Sequence, residues 1–217
     1  MMSFRVIKSG LETILDNAVN TGGIYAGKFR VIKYQKEMQS SEEVNGNNRT
    51  VQVYYSSGDF SGSPQRISKH DMTFNLEMTA GSSGKVDLTG LDSATTDAQR
   101  AAILGNYKEA LYQADQNLDE LIEMVFQVVM AGDNIRLGVN ETTTGVKVNT
   151  RMIPRVQKND PTSLGEYVVI SAVMSVTCES SENLISTTET DGETINTIFK
   201  FKDDDEGKAA LDNDITT

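Results

Sequence analysis

The segment Glu166–Cys178 (EYVVISAVMSVTC) constrains this chain more than any other. Val168, Ile170, Ala172, Met174, Val176 and Cys178 fall on one side of an extended backbone. Tyr167, Val169, Ser171, Val173, Ser175 and Thr177 fall on the other. Side chains alternate across a strand with a period of two, so the run predicts a strand with one wholly apolar face. Such a face is stable only under a second layer, which makes the chain a sheet with a cover.

Other segments supply the rest of the sheet. Asp71–Thr79 (DMTFNLEMT) sends Met72, Phe74, Leu76 and Met78 one way and Thr73, Asn75 and Glu77 the other. Lys28–Gln35 also alternates, and Thr50–Ser56 is rich in β-branched and aromatic residues. Val146–Pro154 is a weaker strand candidate with Arg151 and Arg155 nearby, and Ile198–Phe201 is a short one. Asn45-Gly46 within 40–48, the Gly/Ser stretch Gly58–Lys69, and Asp160-Pro161-Thr162-Ser163 read as loops or turns.

The cover comes from two helices. Phe4, Ile7, Leu11, Ile14, Leu15 and Ala18 recur every three or four residues, predicting a helix over 4–19 with Ser3 as cap and Gly22-Gly23 as stop. Leu104, Tyr107, Leu111, Ala114, Leu118, Leu121, Val125 and Val128 form a longer stripe, capped by Thr96 and ended by Gly132. A coiled coil would carry this stripe, but a helix across a sheet accounts for it with weak e/g charge pairing. Gly105 is a candidate break, and Leu118–Met130 reads as apolar on most sides. The expected fold is α+β: a mainly antiparallel sheet of about four to six strands against an N-terminal helix and a long central helix. Extended loops and an acidic C-terminal arm complete it. The expected division is a body at 1–178, with a polar insertion at 80–105, and an arm at 179–217.

Charge separates body from arm. The net charge of −11 is concentrated in residues 179–217, where eleven acids stand against Lys200, Lys202 and Lys208. The body holds twenty acids and seventeen bases. A chain built to grip nucleic acid would be basic, so that class is disfavoured. No run approaches the length of an apolar membrane span, and no apolar leader follows Met1, so a soluble protein is expected.

Catalytic chemistry has little to build on. One Cys (Cys178) and one His (His70), far apart, give neither an intrachain disulfide, nor a Cys/His zinc site, nor a flanked Cys–His dyad. No phosphate loop, dinucleotide fingerprint or HExxH is present, and His70-Asp71 lacks a serine elbow, so His70 is expected as a satisfied surface residue. Asp203–Glu206 reads as a solvated charge run rather than a cation site, and Asp115, Asp119 and Glu123 as an exposed acidic stripe rather than convergent carboxylates. No catalytic, cofactor or metal residue is assigned, and no enzyme activity is expected.

The order of elements resembles the tail terminator (tail completion) proteins of long-tailed bacteriophages. Ser9-Gly10-Leu11-Glu12-Thr13-Ile14-Leu15 is similar to their opening helix. Phe29–Tyr34, Thr50–Ser56 and His70–Thr79 are similar to their sheet, and Asn117–Met130 to the helix after it. Gln157-Lys158-Asn159-Asp160, then Gly165–Val169 through Val176-Thr177-Cys178, resembles their closing turn and strand. The match spans roughly residues 3–178, in element order and texture rather than strict motif. The insertion Ala80–Gly105 and the segment Glu179–Thr217 depart from the usual small terminator.

The resemblance implies a virion protein, assembled in the host cytoplasm, that closes into a ring, expected to be a hexamer, at the tail-neck junction. The ring would cap the tail tube, stop its polymerisation and offer a docking surface to the head through a connector or neck protein. DNA would pass its lumen without specific binding, and no membrane is implied. A head-tail connector ring is the nearest competitor; a binding module with an acidic docking tail is another. The expected subunit interface is the polar face of the third strand (Thr73, Asn75, Glu77) or the basic first strand (Lys28, Arg30, Lys33).

Overall fold

A computed structural model describes residues 3–33, 49–61, 67–82, 86, 88, 90–164 and 166–183. In chain order these form helix α1 (Ser3–Val19), strands β1 (Arg30–Ile32), β2 (Thr50–Ser61) and β3 (Ile67–Gly81), and helix α2 (Asp97–Met130). A 3₁₀ turn (Gly132–Asn134), helix α3 (Glu141–Thr144) and strands β4 (Val146–Lys158), β5 (Thr162–Leu164) and β6 (Tyr167–Asn183) follow. The α+β class and both covering helices match the sequence reading.

The sheet runs β1-β2-β3-β6-β4, with β5 also on β6. All pairings are antiparallel except β1 on β2, which is parallel. Register explains why the alternating runs share one face. Val53 stands opposite Leu76, and Leu76 opposite Met174; Tyr55, Phe74 and Val176 form the next row. Helices α1 and α2 cover that face. Ile7, Leu11 and Leu15 from α1, and Leu118, Leu121 and Val125 from α2, are buried with Val53, Leu76 and Met174 in one core. Phe4, Tyr55 and Phe74 touch in series, the first pair tilted and the second edge-on, with ring centroids 5.1 and 5.8 Å apart.

Several expectations need correction. Gly105 breaks nothing: α2 is continuous, because one exposed helical glycine costs only about 1 kcal/mol against burial of the whole stripe. Nor is 118–130 buried on most sides, since Phe126 and Met130 are exposed while Leu118, Leu121 and Val125 face the sheet. Thr96 caps α2 as expected, in a capping box with Gln99. Ser3 is not a cap; it lies inside the first turn, buried, with its hydroxyl donated to Met72 Sδ at 3.9 Å. The strands are longer than local patterning suggested. β2 and β3 extend into the polar stretch read as loop at 58–69, and β6 continues five residues past Cys178 into the part read as arm. The second half of the turn read at Asp160-Pro161-Thr162-Ser163 opens a short strand, Thr162–Leu164. Of the expected insertion 80–105, β3 takes the beginning and α2 the end. Between them two described residues bond near the start of β6, Ser82 N donating to Val168 O (2.8 Å) and Val86 N to Glu166 O (2.6 Å). The first strand, expected over Lys28–Gln35, is three residues at the sheet's edge. The Ile198–Phe201 strand, residues 34–35 of the expected first strand and Asp203–Glu206 lie outside the described residues.

Candidate assembly surface

The two faces of the sheet differ in kind. Both long helices lie on the apolar face. The opposite face carries Gln52 and Tyr54 from β2, Thr73, Asn75, Glu77 and Thr79 from β3, and Ser171, Val173, Ser175 and Thr177 from β6. Cross-strand pairs order it: Thr73 and Thr177 hydroxyls are 3.2 Å apart, and Ser175 Oγ donates to Asn75 Oδ1 at 3.1 Å. Burial and then the nearby Glu77 carboxylate push the Tyr54 phenol above its usual pKa, against a smaller lowering by its hydrogen bond with Asn75. The expected residues Thr73, Asn75 and Glu77 therefore sit together at the middle of an ordered polar face. Their strand is central, so it can offer side chains to a neighbour but no free backbone.

The basic strand does not form one surface. Arg30 shares the polar face with Thr50 and Thr79 by register. Lys33 turns instead to α1, where its Nζ is 2.7 Å from Asp16 Oδ2. Lys28 lines a cleft of about 380 Å³ with Tyr25, Arg49, Glu120, Met124 and Gln127. In that cleft Arg49 is held by Glu120 (2.6 Å) and Asn117 (2.8 Å), and the Tyr25 hydroxyl is hydrogen-bonded to Gln127. Strand alternation itself would put Lys33 on the face opposite Lys28 and Arg30, and the strand ends at Ile32 before reaching it.

The basic surface lies at the other edge. β4 carries Lys147, Arg151, Arg155 and Lys158 and no acid, and pairs only with β6 among the described residues. Arg151 reaches the end of α2, donating to the carbonyls of Met130 (2.9 Å) and Ala131 (2.8 Å), where the last carbonyls of a helix lack partners. Lys158 Nζ bridges Asp115 Oδ1 and Asp119 Oδ1, both at 2.7 Å. Burial pulls its pKa down, but those two carboxylates outweigh it and hold the ammonium above its usual value. Arg155 is exposed and hydrogen-bonded to Gln157. Between them Met152 and Val156 are 55% and 40% exposed. Sequence reasoning noted Arg151 and Arg155 but missed this edge; the signal was four bases and no acid in thirteen residues.

Residues weighed for catalysis take other places. His70, expected at the surface, is buried on the apolar face opposite Ser180, because β3 extends beyond it. Cys178 is 1% exposed, and burial, then the Asp71 charge, push its thiol up to about 12, so it is no nucleophile at neutral pH. Asp115 and Asp119 serve Lys158, and Glu123 accepts from Gln127 at 3.1 Å. Among the described residues no group of three His, Cys, Asp or Glu side chains is placed to hold a metal. None of their helices is long and apolar enough to cross a membrane. No protein-family model matches the chain, and no curated protein matches it significantly.

Proposed function

We propose that this chain is a structural subunit that closes with copies of itself into a ring, as a tail terminator of a long-tailed bacteriophage does at the top of the tail tube. The observation that carries the reading is the pairing of two unlike surfaces on one sheet. One is the ordered polar face around Thr73, Asn75 and Glu77; the other is the exposed basic edge of β4. Unlike surfaces suit a heterologous, head-to-tail contact, which closes into a ring when its rotation divides a full turn. The ring would halt the tube by covering it and present its other side to a neck protein. A lumen of an acidic protein would let DNA pass without gripping it.

The test is the mass of the purified protein by light scattering over a wide concentration range, with negative-stain images of the largest species. Closed rings with a central hole are the expected result. A compact dimer without a hole moves the assignment to a binding module. Charge reversal at Lys28, Arg30 and Lys33 that leaves rings intact removes the β1 edge from the interface.

A further inference from the structure

Helix α2 is longer than the core it covers. From Asp97 to Glu109 every residue is exposed except Ile103 and Tyr107, which are half-buried, and full burial begins only at Ala110. At 1.5 Å per residue, about 20 Å of helix thus stands outside the core. Within this stretch Asp97, Ala101, Leu104 and Lys108 are spaced four, three and four, so they fall on one line of the helix. All four are exposed, Leu104 by 43%. Neither Asp97 nor Lys108 has an ion-pair partner among the described residues. Farther along, the chain itself occupies the same line. Asp115 lies on it and holds Lys158, beside a cleft of about 530 Å³ lined by Leu111, Tyr112 and Pro161. The free part of the line therefore runs from Asp97 to Lys108.

Its order is an acid, two apolar residues and a base, which is complementary to itself when reversed. An antiparallel copy presents Lys108 to Asp97 and Asp97 to Lys108, and sets the small Ala101 against the larger Leu104. A parallel copy would set Asp97 on Asp97 and Lys108 on Lys108, and those like charges repel. Arg100, which flanks the line, meets Gly105 and Tyr107 of an antiparallel copy rather than another cation.

We propose that the free segment of α2 docks α2 of a second copy, antiparallel about a two-fold axis, with Asp97 of each on Lys108 of the other. Two helices meeting over so short a length bury less than a standard interface, so the pair is weak and reversible. The contact is isologous and goes beyond the ring reading, whose interface is head-to-tail. Where rings form, it joins subunits of two rings rather than neighbours within one.

The test is sedimentation equilibrium of the full-length chain, taken up to about 1 mM. The wild type should show a two-fold association step. Asp97→Lys and Lys108→Glu should each weaken that step by about tenfold or more, since each sets like charges together. The double variant, and an equal mixture of the two single variants, should both restore it, because every acid then meets a base again. A mixture of Ala101→Cys and Leu104→Cys should oxidise to the mixed disulfide faster than either variant joins to itself; the buried Cys178 does not compete. Equal association of the wild type and both single variants, or no association of the wild type at the highest concentration, overturns the helix pair. Rings whose mass none of these variants alters overturn the helix pair and leave the ring reading standing. Two-fold pairing that the charge swap restores, in a protein that never forms rings, upholds the helix pair and overturns the ring reading alone.

Discussion

Gly10 of α1 and Gly138 of the loop after α2 approach until neither has room for a side chain. A Cβ on Gly10 would lie 2.3 Å from the Leu137 carbonyl oxygen, and one on Gly138 would lie 2.6 Å from the Gly10 oxygen. Gly138 also has φ +71°, a left-handed conformation that favours glycine. By helix propensity alone Gly10→Ala should stabilise by about 1 kcal/mol. Packing reverses the sign: Gly10→Ala should destabilise, by roughly 2 kcal/mol or more, and Gly138→Ala by at least as much. Denaturant unfolding of both variants checks this, and a stabilised Gly10→Ala would refute the close approach.

Gly105 gives the opposite expectation on the other helix. Nothing lies within 4 Å of a Cβ built there, and its φ is ordinary. Gly105→Ala should raise stability by about 0.5–1 kcal/mol, seen as a higher midpoint with an unchanged denaturant slope.

Leu118 and Phe74 are fully buried where α2 meets β3. Truncating either to alanine leaves a cavity at the centre of the core and should cost about 3–5 kcal/mol. The same change at exposed Leu104, in the same helical stripe, should cost under about 1 kcal/mol.

The Cys178 thiol gives a pH dependence with a definite sign. Its pKa rises from 9.0 to about 12 on folding, so the folded state disfavours the thiolate. Stability should be level below about pH 9 and fall at higher pH, until the folded thiol also ionises near pH 12, at up to ~1.4 kcal/mol per unit. Cys178→Ala loses this term and should show a shallower fall between pH 9 and 11 than the wild type. At pH 8 the wild-type thiol should react with a disulfide reagent only as fast as the protein opens.

The bridge from Lys158 to Asp115 and Asp119 is largely exposed. Lys158→Ala should therefore cost no more than about 1 kcal/mol, less in high salt. Its raised pKa places that contribution below the ordinary lysine range, lost as pH climbs past it.

What the sequence made legible follows from periodicity. Val168 to Cys178, Met72 to Met78 and the stripe from Ala114 to Val128 each repeat strongly enough to specify strand or helix and the buried side. What it hid was decided by partners distant in the chain. Ser180 and Glu182 look like tail residues, yet β3 and β4 flank them and draw them into β6. Arg30 and Lys33 read as one basic run by composition, but an odd spacing puts them on opposite sides of an extended backbone, and Lys33 lies beyond the end of β1. The basic edge of β4 was present as composition, but polar residues at 149 and 150 broke its alternation, and register irregularities there and at Pro154 explain why.

Strand β3 pairs along its whole length with β6, and Thr73 and Thr177 meet across 104 residues of sequence. During synthesis at ~5–20 residues per second, β3 therefore waits on the order of 5–20 s for the strand that completes the centre of its sheet. Throughout that interval Met72, Phe74, Leu76 and Met78 lack their β6 neighbours, and a long strand edge stands open on the nascent chain. Newborn copies in a crowded polysome are exposed to one another at the moment when they are least able to choose the right contact. Yield in the cell should therefore depend on the pace of translation through residues 80–180, and slow codons there should increase misassembly.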